Sequence, residues 1–314
     1  MMAILKCKPV FQERLWGGRK LETSFGYDIP DGNIGECWGI SAHPNGMSVI
    51  EGGPFTGQTL ADLWKERREL FGTYTLDEFP LLIKVLDAAD DLSVQVHPND
   101  EEAMRLEDER YGKTECWYVV EAEEGAELIL GHSAETKQQL ADKIEHGEWD
   151  ELLRRQPVKA GDFVFVPSGT IHAIGKGIVI LETQQSSDTT YRVYDFDRTD
   201  NAGNTRELHL NQAIEVTTVP DRPALVTPTS KDVSGGTVQT LVETEEFNVY
   251  RMNVRDGFQV QSLDRFRLIS VLEGAGTLDG IPLQKGNHVV VTVSEEPLQV
   301  VGAMEWIVSD RVTV

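Results

Sequence analysis

The stretch GDFVFVPSGTIHAIGKG, residues 161–177, decides the fold that this sequence predicts. Gly161 precedes an apolar run, Pro167 and Gly169 follow that run, and His172 comes three residues later. Gly161 permits a tight turn into a strand, and the Pro-Ser-Gly segment provides a second turn that ends it. His172 then begins the next strand, where its side chain can point inward.

The spacing G-x5-P-x-G-x2-H resembles the second sequence motif of cupins, which are small β-barrels that hold a metal ion inside. The first cupin motif supplies two ligands from alternate positions of one strand and an acid from a following strand. In this chain SVQVHPND (93–100) offers Gln95 and His97, and Glu115 begins the apolar run of GKTECWYVV. Because side chains alternate along a strand, Gln95 and His97 share the face opposite to that of the neighbouring valines.

These residues form a mixed nitrogen and oxygen donor set. His97 and His172 offer imidazoles, Glu115 offers a carboxylate and Gln95 offers an amide oxygen. Such a set suits zinc with open coordination positions, and also iron or manganese. Two histidines and one carboxylate also describe the non-heme iron triad, so the ligands alone do not select the metal. Gln95 could instead hydrogen-bond to a ligand, because an amide oxygen binds metals more weakly.

Short apolar segments dominate the rest of the chain. Most have four to eight residues, are rich in Val and Ile, and are bounded by Gly, Pro, Asp or Asn. Their density favours a mainly β fold, which we expect to form two cupin-type, jelly-roll β-barrels. Near-helical apolar spacing and N-cap residues predict helical insertions at about 57–72 and 99–155.

A segment rich in proline separates two parts of the chain. Near residues 215–235, the stretch VTTVPDRPALVTPTSKDVSGG (216–236) contains three prolines and ends in Gly-Gly, and strand-like segments follow it. We therefore expect a metal-bearing domain at 1–220 and a second barrel at 221–314. In the second part Gly286 matches the start of the second motif, but Thr292 replaces the proline and no histidine follows at the matching place. This barrel is expected to lack a metal site.

Composition limits the possible partners. The chain has 314 residues, of which 29 are Lys or Arg and 52 are Asp or Glu, so its net charge is −23. Nucleic acid and anionic membranes are therefore poor partners, although a small anionic substrate could bind in a local basic pocket. Three cysteines, no evident signal peptide and no long apolar span predict a soluble, reduced, cytoplasmic protein. The oligomeric state does not follow from the sequence.

A second concentration of chemistry follows His172, in LETQQSSDTTYRVYDFDR (181–198). It contains Glu182, Asp188 and Arg192. Strand alternation places Arg192 opposite its apolar neighbours, so it either pairs with an acid or serves as a cation beside the metal. Lys113, two residues before the glutamate ligand, could join it.

Several stretches together resemble the type I mannose-6-phosphate isomerases, in their short bacterial branch. They are PVFQERLWGGRKL, IGECWGIS, FPLLIKVLDAADDLSVQVHPND, GKTECWYVV, VPSGTIHAI and LETQQSSDTTYRVYD. The resemblance implies one zinc ion per chain on Gln95, His97, Glu115 and His172. Longer family members carry Asn-His-Lys-Pro-Glu where this chain has Tyr-Gly-Lys-Thr-Glu, which puts substrate contacts from that run in doubt.

The resemblance also implies an activity and residue roles. The reaction interconverts D-mannose 6-phosphate and D-fructose 6-phosphate through a cis-enediol. Arg192 and Lys113 are the expected catalytic residues, and Lys113, Glu182, Asp188 and Arg192 are expected to bind the substrate. Glu182, His97 and a metal-bound hydroxide each remain possible as the base.

Other readings of the sequence remain open. The protein could be a non-catalytic sugar-binding or regulatory bicupin, or a non-heme iron dioxygenase. The cations that bind the phosphate are also open: Lys113, Arg192 and Arg198 are nearest to the site in sequence. Further candidates come from the second helical insertion, namely Arg105, Arg110, Arg154 and Arg155.

Overall fold

The computed structural model describes residues 4–199, 203–255 and 257–311, and these residues form a mainly β structure. The strands are β1 (Ile4–Lys8), β2 (Val10–Gly18), β3 (Ile34–Ile40), β4 (Val49–Glu51), β5 (Leu81–Ala88), β6 (Val94–Val96), β7 (Glu115–Ala122), β8 (Glu127–His132), β9 (Leu153–Pro157), β10 (Phe163–Val166), β11 (His172–Ile174), β12 (Ile178–Gln185), β13 (Tyr191–Tyr194), β14 (Thr229–Val233), β15 (Gly236–Glu243), β16 (Asn248–Val254), β17 (Phe258–Val260), β18 (Arg267–Leu278), β19 (Ile281–Gln284), β20 (His288–Val291) and β21 (Leu298–Asp310). The helices are α1 (Lys20–Phe25), α2 (Leu60–Glu66), α3 (Asp100–Glu107), α4 (Lys137–Glu145), α5 (Trp149–Leu152) and α6 (Leu210–Val216), with short 3₁₀ turns at Gly53–Phe55 and Arg68–Leu70.

Two sheets of the first part of the chain face each other. The six-stranded sheet has the order β10-β7-β12-β5-β2-β3, and the five-stranded sheet has the order β13-β6-β11-β8-β9. The side chains of β12 point alternately to the two faces of the six-stranded sheet. On one face, Ile178 and Ile180 pack in an apolar cluster with Leu128 and Ile174 of the five-stranded sheet. Val179 points to the other side, into a cluster shared with the last strands of the chain. The six-stranded sheet is therefore covered on both faces.

The five-stranded sheet is covered on its outer face by helices. Val94 and Val96 of β6 pack with Leu140 of α4 and Ala213 of α6. Because β6 alternates, Gln95 between the two valines points away from these helices and toward the six-stranded sheet. The strand alternation predicted for this stretch is confirmed.

The third sheet has ten strands in all and draws from both ends of the chain. Its order is β14-β15-β16-β21-β18-β20-β1-β4, with β17 paired to β21 and β19 paired to β18. Leu5 of β1 lies opposite Val290 of β20, and Cys7 of β1 lies opposite Ile50 of β4. The division near residue 220 stays a prediction, and β1 and β4 join the sheet of the later part. Among the described residues no sheet closes into a ring, so the mainly β class is confirmed and closed barrels are not observed.

The predicted helical stretches do contain helices. Thr59 caps α2 by accepting from the backbone N–H of Asp62. Asn99 forms a capping box with Glu102 at the start of α3. The region 99–155 also contains β7, β8 and the start of β9, so it is an alternation of helices and strands rather than a purely helical insertion. No described helix is long and apolar enough to cross a membrane.

Candidate metal centre and substrate cavity

Strand register sets two rows of side chains against each other. On the six-stranded sheet Trp38, Lys84, Glu182 and Trp117 lie side by side across four strands. On the five-stranded sheet Arg192, Gln95 and His172 lie side by side across three strands. Most of these residues line a cavity of about 420 Å³ between the two sheets. The cavity holds charged groups where two packed sheets normally bury apolar side chains.

The predicted ligands His97, Glu115 and His172 meet at one end of this cavity. Their donor atoms all lie within 4.8 Å of one another, and each residue is at most 1% exposed. His172 Nε2 lies 3.3 Å from Glu115 Oε1, and His97 Nε2 lies 3.6 Å from Glu115 Oε2. Among the described residues this is the one group of three or more His, Cys, Asp or Glu side chains arranged to hold a metal.

Both imidazoles have the tautomer that metal binding requires. His97 Nδ1 donates to the carbonyl of Thr189 at 2.8 Å, and His172 Nδ1 donates to the carbonyl of Thr170 at 2.9 Å. Each Nε2 therefore presents its lone pair to the centre of the group. Burial lowers the pKa of His172 to about 4 and that of His97 well below its usual value, with the Lys113 charge adding to the latter. Two neutral imidazoles beside a carboxylate fit a divalent metal ion.

Gln95 and Lys113 lie against the same group. The Gln95 amide nitrogen is 3.4 Å from His172 Nε2, so its amide reaches the site, and its role as a ligand stays a prediction. Lys113 Nζ is 2.7 Å from Glu115 Oε2 and 3.2 Å from His97 Nε2. Burial alone would lower the pKa of Lys113, but the carboxylates of Glu115 and Glu182 raise it, so the amine is charged. A buried cation at this point balances the carboxylates.

Arg192 lines the cavity without forming an ion pair with any described carboxylate. Its Nε donates to Ser93 Oγ at 3.3 Å, and its Nη1 donates to the Glu207 carbonyl at 2.9 Å. Burial lowers the pKa of Arg192, and the nearby Arg206 charge adds to this. The simple ion pair with Glu182 or Asp188 that the sequence allowed is not formed. A guanidinium held by neutral groups remains available to a ligand.

Glu182 and Asp188 also line the cavity. Glu182 Oε1 accepts from the indole N–H of Trp117 at 3.1 Å, and Oε2 has no hydrogen-bond partner among the described residues. Burial raises the pKa of Glu182, and the Glu115 carboxylate raises it further. Asp188 is exposed and accepts from the Asn45 amide at 3.1 Å. A carboxyl group with a raised pKa can both accept and donate a proton near neutral pH.

Four charged residues of the cavity were missed by the sequence reasoning. Lys84 Nζ lies 3.7 Å from Glu36 and 3.9 Å from Glu182, and Arg14 Nε donates to Glu36 at 2.8 Å. Burial would raise the pKa of Glu36, but Lys84 and Arg14 outweigh it and lower the pKa to about 2. Arg206 is the fourth residue. A signal existed for two of them, since Lys84 interrupts LLIKVLDA and Glu36 opens ECWGI, both fully buried strands.

The other arginines suggested for phosphate do not line this cavity. Arg198 pairs with Asp195 at 2.6 Å. Those of the helical region pair elsewhere: Arg105 with Glu215, Arg110 with Asp77, Arg154 with Asp221 and Arg155 with Asp150. Closeness in sequence to the predicted ligands therefore did not by itself identify the arginines that line the cavity.

Two family models match the chain. The description of the first is phosphomannose isomerase type I, catalytic domain, and it matches residues 4–128. The second is mannose-6-phosphate isomerase, cupin domain, and it matches residues 237–311. The later match agrees with the cupin character expected for the second part of the chain.

Curated relatives and a solved structure resemble the whole chain. Mannose-6-phosphate isomerase ManA of Bacillus subtilis is 50% identical over 306 residues, which cover 96% of this chain and 97% of the relative. Mannose-6-phosphate isomerase of Streptococcus mutans is 50% identical over 301 residues, covering 95% of each chain. The crystal structure of the mannose 6-phosphate isomerase from Bacillus subtilis superposes with a TM-score of 0.95 at 44% identity, covering 98% of this chain and 99% of that one. The chain belongs to the type I phosphomannose isomerase family, as the sequence motifs indicated.

Proposed function

We propose that this protein interconverts D-mannose 6-phosphate and D-fructose 6-phosphate through a cis-enediol, using one zinc ion per chain. The observation that carries the proposal is the buried group of His97, Glu115 and His172 in a cavity also lined by Arg192, whose guanidinium pairs with no described carboxylate, in a chain of this family. The family assignment favours an isomerase over a sugar-binding bicupin or an iron dioxygenase.

The donor set supports zinc binding by His97, Glu115 and His172, with Gln95 as a further ligand. Both histidines already carry the proton on Nδ1, so no proton has to move within a ring before a metal binds Nε2. When bound, the ion would supply a Lewis acid that polarises the sugar oxygens at C1 and C2. Lys113 lies against Glu115 and balances part of the carboxylate charge. From this position its amine is proposed to hydrogen-bond to the same sugar oxygens.

Side chains of the cavity can perform the proton transfers. The reaction removes a proton from C2 and returns one at C1, so charge develops on the adjacent oxygens. Arg192 is permanently charged and stabilises that oxyanion, and Lys113 moves a proton between the oxygens. Glu182 is the preferred base among the alternatives, because its raised pKa suits a group that both accepts and donates a proton near neutral pH. His97 is a poorer candidate, since its Nε2 is proposed to bind the metal and its Nδ1 donates to the Thr189 carbonyl.

The fold and setting are also part of the proposal. We infer two cupin-type jelly rolls, at 1–220 and 221–314, with the metal in the first. The substrate is a small sugar phosphate, and Glu182, Asp188, Lys113 and Arg192 contact it. The three cysteines are buried and free, which supports a reducing, cytoplasmic setting.

The direct test compares metal-free and zinc-loaded protein. Protein treated with a chelator and dialysed should lose isomerisation of mannose 6-phosphate, and one equivalent of zinc should restore it. Absence of isomerisation in the zinc-loaded protein would contradict the proposal. Oxygen uptake with ferrous iron would instead support the dioxygenase.

A further inference from the structure

Two arginines contact one buried carboxylate beside the cavity, and a third arginine lies near them. Asp195 accepts from Arg206 Nε at 2.7 Å and from Arg198 Nη2 at 2.6 Å, and Asp195 is only 5% exposed. Arg192 is near enough for the Arg206 charge to be the largest electrostatic influence on it. Asp90 also lies 3.7 Å from Arg198, but two carboxylates do not neutralise three guanidinium groups. This local positive excess is unusual in a chain whose net charge is −23, and it favours binding of an anion.

Two of the three arginines face the cavity and the third does not. Arg192 and Arg206 line the cavity. The remaining donors of Arg198 are used on the other side, by the carbonyl of Asp91 and the carboxylate of Asp90. No described residue accepts a hydrogen bond from Arg206 Nη1. Asp195 thus holds the Nε and Nη2 edge of the Arg206 guanidinium, and Arg206 also lines the cavity, where a ligand can contact it.

The position of this pair relative to the metal centre fits an elongated ligand. Arg192 lies two strands away from His172 in register, with Gln95 between them. Two inter-strand spacings separate their backbones by about 10 Å. A ligand that binds the metal centre with one end and extends along the cavity therefore passes Arg192, and its other end can meet Arg206.

We propose that Arg206 binds the phosphate group of the sugar phosphate, at the end of the cavity away from the metal centre. This inference rests on the proposed isomerase function and names the residue that recognises the charged end of its substrate. Arg192 is left to act on the sugar oxygens, and Arg206 supplies a charge-assisted hydrogen bond to phosphate.

The test measures KM, kcat and phosphate binding in zinc-loaded Arg206→Gln. Loss of a charge-assisted hydrogen bond should raise KM for mannose 6-phosphate about 10- to 100-fold and change kcat less than about threefold. Inorganic phosphate, used as a competitor and as a calorimetric titrant, should bind more weakly by the same factor. A KM and a phosphate affinity within about threefold of wild type would overturn the proposal.

Two further variants keep the test interpretable. Arg251→Gln makes the same charge change at a guanidinium that pairs with Glu305 in the third sheet, and it should leave KM and phosphate affinity unchanged. Arg206→Lys replaces Arg206→Gln in the test if the latter fails to fold. It keeps the charge but loses the two-point contact with Asp195, so its KM should rise about tenfold. Wild-type KM in Arg206→Lys would then count against the proposal.

The design also separates failure of this inference from failure of the proposed function. If the wild-type protein isomerises nothing, the function fails, and the phosphate titrations still test the anion site. Weaker phosphate binding in Arg206→Gln would support the site even then, and unchanged binding would overturn it.

Discussion

The two-sheet part of the molecule and the later third sheet are both β structures, but they enclose different interiors. Between the six- and five-stranded sheets lies a cavity of about 420 Å³ lined by acids, bases and histidines. The interior formed by the third sheet is apolar instead, with Met252, Leu278, Leu298 and Trp306 in one cluster. Buried charges cost free energy unless they are paired, whereas buried apolar side chains stabilise the fold. The comparison supports the proposal that the first part carries the chemistry and the later part contributes stability.

The largest effect is expected from removing a ligand in the first interior. His172→Ala should abolish zinc binding and lower kcat/KM on the order of 10⁴-fold, because the Lewis acid is lost. Metal analysis of the purified variant and an isomerase assay check this. His146→Ala, at the exposed end of α4, is the control and should keep both zinc and activity. Stoichiometric zinc in His172→Ala would refute the ligand assignment.

The converse substitution removes an anchor of the apolar interior. Trp306 is fully buried in the third sheet, so Trp306→Ala should lower the free energy of unfolding by about 3–5 kcal/mol. Folded Trp306→Ala should keep its zinc, as measured by metal analysis beside urea unfolding. Val301→Ala, on the same strand but 59% exposed, should change stability by less than about 0.5 kcal/mol. Loss of zinc from folded Trp306→Ala would show that the apolar interior of the third sheet is also needed for metal binding.

One arginine in the cavity and one in the third sheet show whether loss of a positive charge affects catalysis only in the first part. Arg192→Ala should keep zinc and lower kcat about 100-fold, because a cation beside the developing oxyanion is lost. Arg251→Ala breaks a two-point pair with Glu305 outside the cavity and should leave kcat near that of wild type. Steady-state kinetics at saturating substrate distinguish the two. If Arg192→Ala retains wild-type turnover, its guanidinium has no part in the chemistry.

The smallest effect concerns pH and a buried histidine of the third sheet. The side-chain hydrogen-bond partners of His288 among the described residues are uncharged: Tyr27 OH at 2.9 Å and Ser270 Oγ at 2.8 Å, with Cys7 as its strand partner. Burial lowers the pKa of His288 to about 4, below the value of about 6.5 in an unfolded chain. The unfolded state therefore binds the proton more readily, and stability falls as pH drops below 6.5.

This pH dependence is measurable against a variant. Between pH 7.5 and pH 5.5 wild type should lose about 1 kcal/mol more than His288→Gln. Urea unfolding of both proteins at the two pH values gives the difference. Equal losses would mean that folding does not lower the pKa of His288.

Local signals in the sequence predicted most of the elements. Asn99 and Thr59 lie at helix starts because their side chains satisfy free backbone N–H groups, which depends only on near neighbours. The motif histidines and Glu115 were found because strand alternation and turns fix their direction over a few residues. Arg206 was not found, since it follows β13 in an irregular segment without periodicity. Its place in the cavity depends on Asp195, eleven positions earlier.

Pairing between distant parts of the chain carried no such signal. Nothing within β1 indicates that its partner is β20, because the choice depends on how whole sheets pack. Closed barrels were expected from motif resemblance, yet the described strands form three open sheets. Lys84 was overlooked although a lysine in a buried strand is itself a signal of a buried charge partner.

The pairing of β1 with β20 has a consequence for how the chain is made. Leu5 meets Val290, so the two strands are separated by nearly the whole length of the chain during synthesis. Ribosomes add on the order of 5–20 residues per second, so β1 waits many seconds with an unsatisfied edge after it emerges. The ten-stranded sheet can be completed only when synthesis is almost finished. Folding of this sheet is therefore expected to be a late event, and shortened chains that end before β20 would leave β1 as an exposed strand prone to pair with other molecules.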